Sequence, residues 1–337
     1  MNKFSPFICG LSGTSLNDNE VDFIKTFKPW GVILFARNCQ NIKQIKSLTQ
    51  SIKEITSDHF PILIDQEGGR VVRFQYNKKM KLYSASVFGD IYKINTSSAK
   101  EALSLQCEII SSELKDLGIN INTIPVLDLP QINESGVIGN RAFSSDKHII
   151  SELGKITIDS CASMGVLPVI KHIPGHGRAD VDSHNNLPII KSSIQELQET
   201  DFYPFIECNS ALIAMTAHII YTEIDNYFPI TISRIGIKEI IRNHIKFNGL
   251  LMTDDLSMKA LSGDIGELAL QSINAGCNLV LHCNGELNEM VKIGESLSEN
   301  IQQIEMDDRV NNVISTEVDY SIDESRFRLA QIIGELT

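Results

Sequence analysis

Residues 166–177, VLPVIKHIPGHG, join two kinds of sequence with no spacer between them. Val166–Ile170 is a continuous apolar run of the length of a buried strand. Lys171, His172 and His176 follow at once, and Asp182 and His184 come within fourteen residues of Lys171. A connection that only joined two elements would not need so many titratable groups.

The same construction recurs along the chain. Apolar runs lie at Pro6–Leu11, Gly31–Ala36, Pro61–Ile64, Ile119–Leu127, Ala211–Ala217, Leu250–Thr253 and Asn278–His282. With Val166–Ile170 they make eight. Runs this short and unbroken suit parallel strands covered on both faces. Between them, residues 41–55, 100–117, 194–208, 235–245 and 265–275 place apolar side chains at helical spacings of three and four. Eight strands alternating with helices predict an α/β fold, a (β/α)8 TIM barrel. An open doubly wound sheet is the alternative, but the glycine-rich phosphate loop expected after an early strand is absent.

The polar residues at the ends of these runs favour the barrel. Arg37, Asp65, Asp128, Lys171, His172, His218 and Asp254 each stand where an apolar run stops. Barrel strands converge at their C-terminal ends on one mouth, where active sites are built. Residues 302–337 are polar with helical spacing, and Asp323 reads as the N-cap of a last helix. With no repeat or linker in sight, residues 1–337 are expected to form one domain, with the C-terminal helices at about 302–337.

Composition narrows the partners. Thirty Lys and Arg against 42 Asp and Glu give a formal charge of −12, which argues against nucleic acid and against an anionic membrane surface. No apolar run reaches membrane-spanning length, and the start of the chain does not read as a secretory signal. Seven cysteines without a Cys-x-x-Cys pattern are expected to be reduced thiols. The expectation is a cytoplasmic enzyme acting on a small molecule, with no cofactor, no metal and no obligate protein partner.

Chemistry is read from four clusters. Asp254, after Leu250–Thr253, is either a nucleophile at the mouth or an N-cap for the next helix. Strand alternation turns Asp255 the other way, where capping is the better reading. Asp182 and His184, two residues apart, put a carboxylate and an imidazole on one face of an extended loop, the arrangement of an acid/base histidine. Asp65, in DQEGGRVVR, is placed to take hydrogen bonds from neighbouring hydroxyls. His172, His176 and His184 also suggest a metal-dependent hydrolase. The spacing of His172 and His176 across Pro174-Gly175 is not helical, which removes the usual zinc geometry.

Four blocks resemble the glycoside hydrolase family 3 β-N-acetylhexosaminidases of the single-domain bacterial type. They are Asp65–Phe74 (DQEGGRVVRF), Lys171–Gly177 with Asp182–His184 (KHIPGHG…DSH), Met215–His218 (MTAH) and Thr253–Met258 (TDDLSM). The resemblance runs over about residues 5–300. It implies a (β/α)8 barrel and hydrolysis with retention of configuration. It makes Asp254 the nucleophile and His184, paired with Asp182, the acid/base on a mobile loop. It assigns Asp65, Arg73, Arg141, Lys171 and His172 to sugar binding. The implied substrate is a terminal GlcNAc on GlcNAc-1,6-anhydro-MurNAc and its peptides, in cell-wall recycling. A substrate-assisted hexosaminidase, which the tandem Asp254-Asp255 superficially fits, and a broader β-glucosidase or phosphorylase are the alternatives. One departure stands in the first strand, where members often have Asp and this chain has Gly10. That change is expected to alter packing beneath the mouth.

Overall fold

The computed structural model describes residues 3–76, 81–130, 137–179 and 186–336. Its strands are β1 (Lys3–Gly10), β2 (Pro29–Leu34), β3 (Ile62–Ile64), β4 (Ile121–Asn122), β5 (Leu167–Ile173), β6 (Ile213–Thr216), β7 (Leu250–Asp255) and β8 (Leu279–His282). Each is parallel to the next, and β8 pairs back onto β1 (Phe7 with Val280, Cys9 with His282), which closes the sheet into the expected barrel. Residues Ile304–Glu305 add a short antiparallel piece at the start of β1.

Alternation along the strands sorts the core into layers. Ile8, Ile33, Leu63, Val169, Ile213, Met215, Met252 and Leu281 fill the barrel interior. Phe7, Cys9, Val32 and Ile64 point outward and pack under the helices. These include α1 (Asp18–Phe27), α2 (Ile42–Ile55), α3 (Ala85–Ile94), α4 (Thr96–Asp116) and α5 (Lys147–Ser163). Helix α1 begins with a capping box, Asn17 with Glu20.

Three helical predictions shift. Residues 194–208 form two helices, α6 (Ile194–Glu199) and α7 (Tyr203–Glu207). Pro204 sits in the first turn of α7, where its ring blocks a continuous helix from α6. Residues Gly236–His244 are wound as a π-helix. After α8 (Ile265–Ala275), α9 (Leu287–Asn300) and α10 (Asp308–Ile314), α11 spans Ile322–Leu336. Asp323 is therefore inside the first turn of α11 rather than its N-cap, and it pairs there with Arg326 at 3.2 Å. Val310 and Ile314 of α10 join the barrel-interior cluster.

Gly10 shows what the departure in β1 does. A Cβ there would overlap the Cys283 carbonyl and lie 2.9 Å from Arg37 Nη2. The space above β1 is taken by Arg37, which donates to the Leu11 carbonyl at 2.8 Å and to the Cys283 carbonyl. Gly10→Ala is expected to lower stability by about 1–3 kcal/mol, the usual cost of overpacking. Urea unfolding measures it, and an unchanged midpoint would show that β1 and β8 can part without strain.

All seven cysteines are free, and five of them are buried. Among the described residues no helix is long and apolar enough to cross a membrane.

Candidate active site

Strand ends bring the predicted residues to one place. Asp65 follows β3, Lys171 and His172 lie inside the last turn of pleat of β5, and Asp254 lies near the end of β7. With Arg73 and Arg141 from loops they line one cavity of about 280 Å³ at the barrel mouth. Asp182 and His184 lie outside the described residues.

A charge network forms one wall. Asp65 accepts from Arg73 Nη2 at 2.8 Å, from Lys171 Nζ at 3.3 Å and from the Thr123 hydroxyl. Lys171 Nζ also reaches Glu67 at 2.7 Å and Thr123 Oγ1 at 2.9 Å. Arg141 grips both oxygens of Glu67, each at 2.8 Å. Burial is the largest single effect and works to raise both carboxyls, but the ammonium of Lys171 leads a set of charges and hydrogen bonds that together outweigh it. Helped by Arg73, it holds Asp65 far below the usual carboxylate range. Helped by Arg141, it holds Glu67 at about 2. Burial pulls Arg141 the other way from its Glu67 partner, and Glu67 prevails, so its guanidinium pKa is raised.

The opposite wall carries the imidazoles and Asp254. His172 Nδ1 meets Asp128 Oδ2 at 2.7 Å, and the His172 and His176 rings cross at 60° with centroids 5.4 Å apart. Asp254 accepts the N–H of Asp255 at 2.8 Å. Burial tends to raise its carboxyl, yet the charges of His172 and His218 and that N–H together hold it below its ordinary range. An ionised carboxylate facing a cavity is the state a nucleophile requires. Helix α8 is capped by Asp264, so Asp254 is not a helix cap.

Asp255 serves the backbone, though not as a helix cap. Its carboxylate takes the N–H of Ser257 and of Cys283, both at 3.0 Å, and the Ser257 hydroxyl at 2.7 Å. It closes the turn after β7 and ties it to the residue after β8. His218 is buried, between Thr231 Oγ1 at 2.7 Å and the Asp255 carbonyl at 3.0 Å.

The family model of the glycosyl hydrolase family 3 N-terminal domain matches residues 9–316. The chain belongs to glycosyl hydrolase family 3. It is 35% identical over 283 residues to a β-hexosaminidase of Methylobacillus flagellatus, covering 83% of this chain and 80% of that protein. It is 32% identical over 283 residues to a β-hexosaminidase of Bordetella avium, with the same coverage. The crystal structure of native NagZ from Neisseria gonorrhoeae superimposes with a TM-score of 0.83 at 31% identity, covering 98% of each chain. NagZ in complex with N-trifluoroacetyl-D-glucosamine matches equally well. This chain is therefore a glycoside hydrolase, and its cavity lies at the C-terminal mouth, the end at which barrel enzymes build their active sites.

One residue of this site, Glu67, was not singled out by the sequence, and another, Asp128, was seen only in part. Glu67 is the hub between Lys171 and Arg141, and only its position two residues after Asp65, on the same face of an extended segment, hinted at that. Asp128 was visible as a strand-end carboxylate, but its partners were not. The turn after β5 is closely packed at both of its glycines. Gly175 has φ of 142° and its carbonyl accepts from the Tyr221 hydroxyl, while Gly177 packs so closely on the Leu129 carbonyl that no Cβ fits. Arg178 then holds Asp201 at 2.6 Å and Glu196 at 2.7 Å, which pins the stem of the loop. Among the described residues no group of three His, Cys, Asp or Glu side chains is placed to hold a metal ion.

Lys171 is the cation shared by these two half-buried carboxylates. Lys171→Met leaves Asp65 and Glu67 short of a partner, and the expected loss at neutral pH is about 3–5 kcal/mol. Both carboxyls are depressed in the folded state, so the stability they contribute is present above about 4.5 and lost as pH falls toward about 2. The gap between wild type and variant should therefore narrow on acidification. Denaturant unfolding across pH 7 to 3 checks it, and a gap independent of pH would mean the carboxylates do not need this cation.

Proposed function

We propose that this chain is a retaining, exo-acting β-N-acetylglucosaminidase. Its substrate is a terminal β-linked GlcNAc, carried on GlcNAc-1,6-anhydro-MurNAc and its peptides, and its place is cytoplasmic cell-wall recycling. The observation that carries this reading is the pairing, across one cavity, of an ionised Asp254 with the Asp65–Lys171–Glu67–Arg141 network. A cavity of about 280 Å³, at the small end of ligand pockets, suits removal of one terminal sugar. The named relatives are β-hexosaminidases, and one solved relative holds an N-acylated glucosamine.

In this reading Asp65 and Arg73 grip hydroxyls on the far edge of the ring. Lys171, His172 and Arg141 hold the remaining hydroxyls and the acetamido group. Asp254 attacks the anomeric carbon while His184, oriented by Asp182, protonates the leaving oxygen. The glycosidic bond breaks and a glycosyl ester on Asp254 forms. Neutral His184 then takes a proton from water, the water oxygen attacks the same carbon, the bond from that carbon to Asp254 breaks to return its carboxylate, and the sugar leaves with its original configuration. Engagement of Asp255 by Ser257 and Cys283 speaks for this path over one in which both aspartates steer a substrate acetamido group.

Proton NMR of the reaction on 4-nitrophenyl β-GlcNAc and on the anhydro-muropeptide tests the proposal. The β-anomer of GlcNAc should appear first from both. First appearance of the α-anomer would overturn retention, and turnover of the aryl glycoside alone would overturn the muropeptide assignment.

A further inference from the structure

We propose that Asp128 is a positioning residue of the sugar site: it fixes which ring nitrogen of His172 carries a proton, and so which nitrogen is offered to the substrate. Asp128 follows the extension of β4, where Val126 bridges to Lys171 and the Leu127 N–H donates to the Lys171 carbonyl at 2.7 Å. Its side chain is wholly buried. Oδ1 accepts the backbone N–H of His172 at 3.1 Å and of His176 at 2.6 Å, and Oδ2 meets His172 Nδ1 at 2.7 Å.

Three groups thus converge on one carboxylate, and two of them are fixed backbone donors. An ionised carboxylate only accepts, so Nδ1 must be the protonated nitrogen of His172. Burial tends to keep the Asp128 acid neutral, but the charge on His172 and these hydrogen bonds prevail and hold it below its ordinary range. The two N–H bonds also fix the carboxylate plane, and with it the ring plane of His172. With Nδ1 engaged by Asp128, Nε2 is the ring nitrogen left to serve the cavity that His172 lines. It can donate to a sugar hydroxyl when His172 is charged and accept from one when it is neutral.

An amide at this position would reverse the arrangement. In Asp128→Asn, Oδ1 keeps both backbone bonds, while Nδ2 donates to His172 Nδ1. The ring becomes the neutral Nε2–H tautomer, which cannot accept from the sugar at Nε2. Nothing in this requires Asp128 to touch substrate.

The experiment is nitrogen–proton NMR of 15N-histidine-labelled protein, with the His172 ring assigned by its absence in His172→Gln, combined with kinetics. Wild type should show a protonated Nδ1, either alone or in the doubly protonated ring. A neutral Nε2–H tautomer in wild type would overturn the proposal without any variant being needed. Asp128→Asn should convert the ring to Nε2–H and lower kcat/KM on 4-nitrophenyl β-GlcNAc about 10–100-fold, the scale of a lost orienting partner. In a His172→Gln background the same substitution should cost less than about threefold, because Asp128 acts through the ring. Equal losses in both backgrounds would make Asp128 merely structural. The kinetic arm rests on the function proposed above. The tautomer arm does not, so failure of that function and failure of this inference are distinguishable.

Discussion

Asp254→Ala is expected to lower kcat on 4-nitrophenyl β-GlcNAc by about 10⁴–10⁶-fold, the scale on which loss of a covalent nucleophile is felt. The reason lies in the second step as much as the first. Without the carboxylate no glycosyl ester forms, and the charge that would meet the developing positive carbon is gone. The fold should survive. Among the described residues Asp254 makes one hydrogen bond, accepting the N–H of its neighbour, and it sits in the cavity rather than in the packed interior. Steady-state kinetics and a thermal melt together check both statements. Turnover within tenfold of wild type, in a folded variant, would remove Asp254 from the chemistry.

His184→Ala should cost about 10²–10⁴-fold, the worth of general acid/base help. The loss should depend on the leaving group. 4-Nitrophenol departs without a proton, so its release should show a rapid first turnover followed by slow breakdown of the ester, because no base activates water. The muropeptide has a poor leaving group and should suffer in the first step as well, so its loss should be the larger. Azide needs no base, and adding it should restore turnover of the aryl glycoside and yield a β-glycosyl azide. Equal losses on both substrates, with no response to azide, would put His184 outside the acid/base role. Asp182→Ala should follow the same pattern more weakly, since it acts through the ring.

The barrel was legible because each strand is a short, continuous apolar run, and parallel strands buried on both faces leave that signature. Where a run misled, one residue explains it. The run at Ile119–Leu127 contributes only Ile121–Asn122 to the ladder, because Pro125 lacks an N–H, and pairing resumes at Val126 opposite Lys171. Pro204 likewise splits α6 from α7. Strand-end polar residues were equally legible, since a charged side chain after an apolar run has few places to go but the mouth. Their pairing was not. Lys171 meets Asp65 across 106 residues, and spacing along the chain carries no signal for such a contact. For the same reason the partners of Glu67 and Asp128 were not legible until the barrel brought Lys171, Arg141 and His172 against them.

Arg73 illustrates the limit from the other side. The resemblance assigned it to sugar binding, and the structure places it 2.8 Å from Asp65 with its guanidinium over the Phe35 ring. A side chain so held is already oriented before any ligand arrives, which favours binding by lowering the ordering cost.

In the proposed mechanism Asp254 becomes covalently bonded to the sugar. The most direct measurement is mass spectrometry of peptides from protein treated with a fluorinated GlcNAc donor, chosen so that the ester breaks down more slowly than it forms. One added glycosyl mass is expected on the peptide containing Asp254, and none when Asp254 is replaced by Ala. Inactivation with no adduct on that peptide, or an adduct on another carboxylate, would contradict it.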